Sequence, residues 1–280
     1  RGAQVIAWSY VTFAIAALIV GLRLVVRSKV VHVLGKEDAC VFSALVCSCF
    51  ACVSKGGLGQ HYASLNETEL MLFMKYSYFS ILFYNLSLCL TKFSILFLCL
   101  RVFAPSDWRK ACMVVLVFIS IYTTWVILVS ILSCIPIPSY WDKSINGWCF
   151  PTAVLWWVNA SLNIFTDFLV VTLPIPGIAK LQLPMKQKIG VALVFALGFF
   201  VCIISIVRLY ALKIGIRTHD PTYDNYAIAI WSVVEVNGAI VGACLPTLKP
   251  LISRLWPRLL SSGHSNHPHR SRTREYIRQG

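Results

Sequence analysis

The sequence predicts an all-α membrane protein: a bundle of seven transmembrane helices with the N-terminus outside. Three observations carry this. The chain is 58% hydrophobic and only 13% charged, whereas a soluble domain carries roughly a quarter charged residues. Seven apolar runs are separated by polar breaks, and about 20 apolar residues cross a hydrocarbon core of about 30 Å as a helix. Finally, the basic residues between the runs gather on alternate loops, sixteen against five, the asymmetry that orients helices with their positive loops in the cytoplasm.

The runs are Gln4 to Val26, Asp38 to Lys55, Met74 to Leu100, Ala111 to Cys134, Thr152 to Pro174, Ile189 to Ala211 and Tyr226 to Cys244. The first is too long for a signal-peptide core and reads as an anchor that stays in the membrane. The second is the shortest. Gly35-Lys36-Glu37-Asp38 precedes it, and Gly56-Gly57-Leu58-Gly59-Gln60-His61 follows it as turn chemistry. Pro136, Pro138 and Pro151 frame the fourth loop, Pro174 and Pro176 end helix five, and Pro246 and Pro250 end helix seven. Trp141, Trp148, Trp156 and Trp157 form an outer aromatic belt, with Trp108 and Trp256 at the inner interface.

The parse is one seven-helix domain over 1–252 and a basic cytoplasmic tail over 253–280. Leu251 to Leu260 suits a short helix on the inner leaflet, with membrane lipid as its partner. The Ser-, His- and Arg-rich remainder reads as disordered, and His264, His267 and His269 as a solvated tail rather than a metal site. The net charge of +14 is accounted for by the cytoplasmic loops and tail, so no nucleic-acid partner is implied.

Most of the eleven cysteines lie in apolar helices, where a thiol packs as a small hydrophobe. Cys134 and Cys149 bracket the fourth loop on the oxidising face, and a disulfide between them is favoured over two free thiols. Asn66-Glu67-Thr68 is a glycosylation signal in a loop this topology places outside, while the matches at Asn85 and Asn159 lie inside helices.

The informative residues are the ionisable ones within the crossings: Lys92, Asp167, Arg208 and Glu235. Each costs on the order of 2.5–3.5 kcal/mol at mid-bilayer unless paired or hydrated. Helix rise puts Lys92 and Asp167 at similar depths in the inner half, and Arg208 and Glu235 in the outer half, which predicts two pairs. Arg23 and Lys75 are placed to snorkel from helix ends. Asn159, Asn163 and Asp167 share one face of helix five, and Asn85 and Lys92 one face of helix three. Asn85, Lys92, Asn163, Asp167, Arg208 and Glu235 thus form either a ligand pocket or a polar core that fastens the helices. Both readings stand at this level.

These residues also carry a resemblance. Gly57-Leu58-Gly59-Gln60-His61, Thr91-Lys92-Phe93-Ser94-Ile95-Leu96 leading to Leu100-Arg101-Val102-Phe103, and Cys134 with Pro136, Trp141-Asp142, Gly147 and Cys149 are the first part of it. Asn163 with Asp167 and Pro174, then Ser205-Ile206-Val207-Arg208, then Glu235 with Cys244-Leu245-Pro246 and Pro250 complete it. The chain resembles the fungal rhodopsin-like domain family of seven-helix integral membrane proteins, which includes receptor-like proteins bearing a cysteine-rich CFEM domain and members from mycotoxin gene clusters. The acidic pair that often opens helix two in the family stands here as Glu37-Asp38.

The family name does not bring retinal. A retinal Schiff base needs a lysine in helix seven, and Tyr226 to Cys244 contains none, so no cofactor and no metal are predicted. The acidic-Arg-Tyr step that ends helix three in the largest receptor class stands here as Leu100-Arg101-Val102. The leading expectation is a receptor-like protein of the plasma membrane or an endomembrane, sensing a small lipophilic ligand and speaking to a cytoplasmic signalling partner. The alternative is a cofactor-free membrane enzyme of fungal secondary metabolism, with Asp167 or Glu235 as its acid.

Overall fold

A computed structural model describes residues 2–29, 32, 35–52, 66–102, 108–142, 144–179, 185–215 and 226–255. Its helices are α1 (Gly2–Lys29), α2 (Lys36–Cys52), α3 (Glu67–Val102), α4 (Trp108–Ile131), α5 (Thr152–Thr172), a short α6 (Pro174–Ala179), α7 (Met185–Gly215) and α8 (Tyr226–Leu255). Two two-residue strands, β1 (Cys134–Ile135) and β2 (Trp148–Cys149), and a 3-10 turn (Ile137–Tyr140) build the loop between α4 and α5.

Burial on α1 shows why an almost wholly apolar segment still has an inside. Val5, Ser9, Ala16, Val20, Arg23 and Arg27 are buried, while Trp8, Val11, Ile15, Leu18 and Leu22 are exposed. The buried set recurs every three to four residues, one face of a helix. In lipid the outward face is at least as apolar as the inward one, and the inward face holds the small and polar side chains. Ala16 and Val20 meet Val41 and Ala44 of α2, Leu88 of α3 and Ile240 and Ala243 of α8 in the largest buried cluster. α3 and α8 are the central helices: α3 packs on α2, α4, α5 and α8, and α8 on α1, α2, α3 and α7.

Among the described residues six helices are long and apolar enough to cross a membrane, and the protein is a multi-pass integral membrane protein. The predicted seventh, α2, has 17 described residues, about 25 Å at 1.5 Å per residue, short of a core about 30 Å thick. Residues 53–65, with the end of the expected second run and the Gly57 to His61 motif, lie outside the described residues, as does the tail over 256–280.

Helix five ends at Thr172, two residues ahead of Pro174, as expected. The last helix does not stop at Pro246 or Pro250 but continues to Leu255. A proline inside a membrane helix is tolerated where neighbours satisfy the disturbed carbonyls. Here the Arg23 guanidinium donates to the Ala243 carbonyl at 2.7 Å, three residues before Pro246.

The loop between α4 and α5 is a clasp. Cys134 pairs with Cys149 and Ile135 with Trp148 in antiparallel register, and a disulfide joins Cys134 to Cys149. A side chain at Gly147 would run into Ser139, so the close return of the chain needs glycine there. The clasp leans on α3: Tyr78 lies 5.2 Å from Tyr140 and 5.6 Å from Trp141, ring centre to ring centre, and the Lys75 ammonium is 5.8 Å above Trp141. The Ser144 hydroxyl and backbone N–H donate to the Asp142 carboxylate at 2.6 and 3.0 Å. These bonds hold its carboxyl below the usual range, so this turn is favoured above the ordinary carboxylate pKa and loosens as pH falls through the lowered one.

Replacing Cys134 and Cys149 by serine opens a loop closed across 15 residues, and a loss of about 3 kcal/mol is expected. Thermal unfolding in detergent with and without reductant measures it: reductant lowers the midpoint of the native protein and leaves that of the double variant unchanged.

Candidate functional site

The face of α5 that turns inward holds Ala160, Asn163, Thr166, Asp167 and Val170, all buried at steps of three, three, one and three. This stripe meets Lys92 of α3, Ser205 and Arg208 of α7 and Glu235 of α8. The Lys92 ammonium lies 3.1 Å from Asp167 Oδ1 and donates to the Asn163 side-chain carbonyl at 2.8 Å, the Asn163 backbone carbonyl at 3.2 Å and Thr166 Oγ1 at 2.5 Å. It also sits 5.4 Å above the Tyr122 ring of α4.

Arg208 Nε is 2.7 Å from Glu235 Oε2, and its guanidinium covers the Tyr84 ring at 5.0 Å. The Tyr84 hydroxyl donates to that same carboxylate oxygen at 2.5 Å. Glu235 is wholly shielded, at 0% exposure.

Two side chains weld these pairs into one network. The Asn163 amide donates to Asp167 Oδ2 at 3.2 Å and to Glu235 Oε1 at 3.0 Å. The Ser205 hydroxyl lies 2.5 Å from Glu235 Oε1, 3.3 Å from Asp167 Oδ2 and 3.1 Å from the Val201 carbonyl, three acceptors for one proton. With two cations and two anions the network is neutral. That is the condition for holding charge in a low-dielectric interior, since an unpaired member would carry the full desolvation penalty.

Of the residues singled out in the sequence, Lys92, Asn163, Asp167, Arg208 and Glu235 converge here, and Asn85 does not. Its short side chain stops at α4, where it donates to Ser130 at 3.2 Å, whereas the longer Lys92 reaches past α4 to α5. Asn159, one turn before Asn163, has a buried Oδ1 without a hydrogen-bond partner. It lines a small cavity of about 30 Å³ beneath the disulfide clasp, with Tyr78, Ser130, Tyr140 and Trp156. Asn66 is exposed just before α3. Its backbone N–H donates to the Glu69 carboxylate at 3.1 Å, the reciprocal half of a capping box.

Tyr84 was not legible as a site residue, because a tyrosine within an apolar run reads as core until the carboxylate across the bundle is known. The larger omission is at the far end, opposite the clasp. Arg23 does not snorkel to the interface but is fully buried, its Nε donating to Asp38 Oδ1 at 2.9 Å. Arg27 reaches Glu37 Oε1 at 2.6 Å and Asp38 Oδ2 at 3.1 Å. Arg101 takes the same Glu37 oxygen at 2.7 Å, and the Ser94 hydroxyl donates to the Glu37 carbonyl at 2.7 Å. The available signal was the four-residue spacing of Arg23 and Arg27, which puts both on one face of α1, opposite the acids that open α2. Those acids read in the sequence only as turn and motif residues.

A second, larger cavity of about 90 Å³ lies on the far side of the network from the clasp. Lys92 and Asp167 meet it, and Leu88, Ile95, Val170 and Val201 are among its apolar walls. Among the described residues no three His, Cys, Asp or Glu side chains converge to hold a metal ion.

Long apolar helices, a disulfide clasp at one end and two buried ionic networks define a polytopic helical membrane protein. The chain belongs to the fungal rhodopsin domain family, whose profile matches residues 22–254. It is 31% identical to a SAT4 family membrane protein of Emericella nidulans over 199 residues, 69% of this chain and 50% of that protein. It is 26% identical to the polyenoic acids biosynthesis gene cluster protein Ba17b of Metarhizium anisopliae, over 84% of this chain and 70% of that one. It is 25% identical to Receptor GIN3 of Arthrobotrys oligospora, over 38% of this chain and 26% of that one. The chain thus spans about half the length of the first of these relatives. No solved structure matches it.

The two ends of the far network differ in burial, and substitution separates them. Arg23→Leu leaves Asp38 buried with one cation fewer, and a loss of about 3–5 kcal/mol is expected. The Arg101 side chain is 42% exposed, and Arg101→Leu is expected to cost about 1 kcal/mol or less. Thermal unfolding of both variants in one detergent reads the contrast.

Proposed function

We propose that this protein is a receptor-like sensor with seven crossings, α2 among them, its N-terminus outside and its basic tail in the cytoplasm, in the plasma membrane or an endomembrane. The alternation of basic loops supports this orientation. A small lipophilic ligand binds on the outer side beneath the Cys134–Cys149 clasp, which serves as its lid, and Asn66 in the preceding outer loop carries a glycan. No retinal is involved.

The observation that carries the reading is the neutral network of Lys92, Asp167, Arg208 and Glu235, joined through Asn163 and Ser205. It ties α3, α5, α7 and α8 together between the clasp and the far end. Four helices sharing one set of bonds cannot shift one at a time without leaving a buried charge uncompensated. A ligand that favours one arrangement therefore biases all four, and a differential affinity worth about 1–3 kcal/mol is enough for a graded response. The cytoplasmic signalling partner reads the loops and tail. A relative named as a receptor, GIN3, supports the same class.

A second reading is favoured by the relatives named for biosynthesis clusters: a cofactor-free membrane enzyme acting on a lipophilic precursor. Asp167 would then be the acid, since it borders the 90 Å³ cavity while Glu235 is sealed from it, and Lys92 would tune its proton affinity.

The two readings separate in a deletion host carrying Glu235→Gln or Asp167→Asn at normal protein level. The sensor reading predicts a transcriptional response to added compounds that is lost in both variants with metabolites unchanged. The accumulation of one precursor, with Asp167→Asn the more severe, identifies the enzyme instead, and wild-type behaviour of both variants reduces the network to helix fastening. Asn66→Gln tests the orientation: it abolishes an endoglycosidase-sensitive mobility shift if Asn66 faces the lumen, and absence of any such shift in the native protein removes the glycan from the reading.

A further inference from the structure

The cavity beside Lys92 and Asp167 has a chemical polarity that goes beyond the sensor reading, which places its ligand under the clasp. At about 90 Å³ it offers room for roughly three waters, or for a molecule smaller than the benzene that fills a ~150 Å³ cavity. Leu88, Ile95, Val170 and Val201 supply an apolar wall, and Ala239 and Gly242 of α8 keep the space open by having little or no side chain.

The polar groups at its edge are not equivalent. The Lys92 ammonium has three protons and four acceptors within reach: both Asn163 carbonyls, Thr166 Oγ1 and Asp167 Oδ1. Its donor capacity is exhausted. The Thr91 hydroxyl proton is likewise spent on the Ser87 carbonyl at 2.8 Å. What remains is acceptor capacity. Asp167 Oδ1 receives only Lys92 among the described contacts, and a carboxylate oxygen accepts two hydrogen bonds. Thr91 Oγ1 keeps its lone pairs.

We propose that this cavity is a second binding site, and that it takes a small neutral molecule with a hydroxyl donor on a short apolar body. The hydroxyl donates to Asp167 Oδ1 or Thr91 Oγ1, and the carbon chain lies against Val170, Val201 and Leu88. A ketone or ether of the same size finds no donor to meet its oxygen, and a carboxylate meets Asp167 as a like charge.

The test uses the full chain in lipid nanodiscs with labelled Ile, Leu and Val methyl groups, titrated with propan-1-ol and, separately, acetone. Propan-1-ol is expected to give saturable shifts at Ile95, Val170 and Val201, with acetone bound about tenfold more weakly for lack of a donor. Ala239→Leu, which fills the cavity, is expected to abolish the shifts, and Gly242→Ala, a one-methyl intrusion, to weaken them. Equal binding of acetone overturns the proposal. So do shifts confined to lipid-facing methyls such as Val114 and Ile121, or shifts that persist in both variants. The sensor reading stands or falls separately, on the transcriptional response.

Discussion

A charge inside hydrocarbon has to be neutralised by the protein that carries it, and this constraint organises the bundle more than any apolar contact does. Lipid tails are as apolar as leucine, so burying Val20 or Ile240 against another helix gains little that lipid would not also supply. Burying Glu235 at 0% exposure is different, because no lipid can replace Arg208, Tyr84, Ser205 and Asn163 around it. The helix arrangement is therefore the one in which every carboxylate and cation of the interior meets its complement.

The two networks solve this problem differently. The central one is balanced, two cations against two anions, and its members are nearly inaccessible. The far one sets Arg23, Arg27 and Arg101 against Glu37 and Asp38, and its surplus charge falls on Arg101, the member whose side chain is 42% exposed. A surplus is affordable only where water or headgroups reach it. The central network thus suits a sealed partition between the cavity under the clasp and the larger one beyond it, while the far network fastens α1, α2 and α3 and steadies α8 where Pro246 disturbs its backbone.

Much of this was legible in the sequence because charge in an apolar run is a rare signal with few explanations. Depth along each helix was enough to match Lys92 with Asp167 and Arg208 with Glu235, and the two cysteines that bracket the fourth loop pointed to the bridge. Reach was the part that rise and periodicity do not encode. Asn85 shares a helical face with Lys92 but is too short to pass α4, and Arg23 sits near a helix end yet turns inward because α2 opens with two acids. Tyr84 carries no sequence mark of its role, since its partner is on a helix 151 residues away. Pro246 and Pro250 read as stops because the contacts that hold the helix around them, such as Arg23 on the Ala243 carbonyl, come from residues distant in the chain.

The direct measurement of this account is a double-mutant cycle of thermal stability on Arg208→Met and Glu235→Leu in one detergent. If the central network holds the bundle, each single variant loses about 3–5 kcal/mol and the double variant recovers much of that loss, because the second substitution removes the charge the first left unpaired. Losses that simply add, with no coupling between the two positions, would contradict the account.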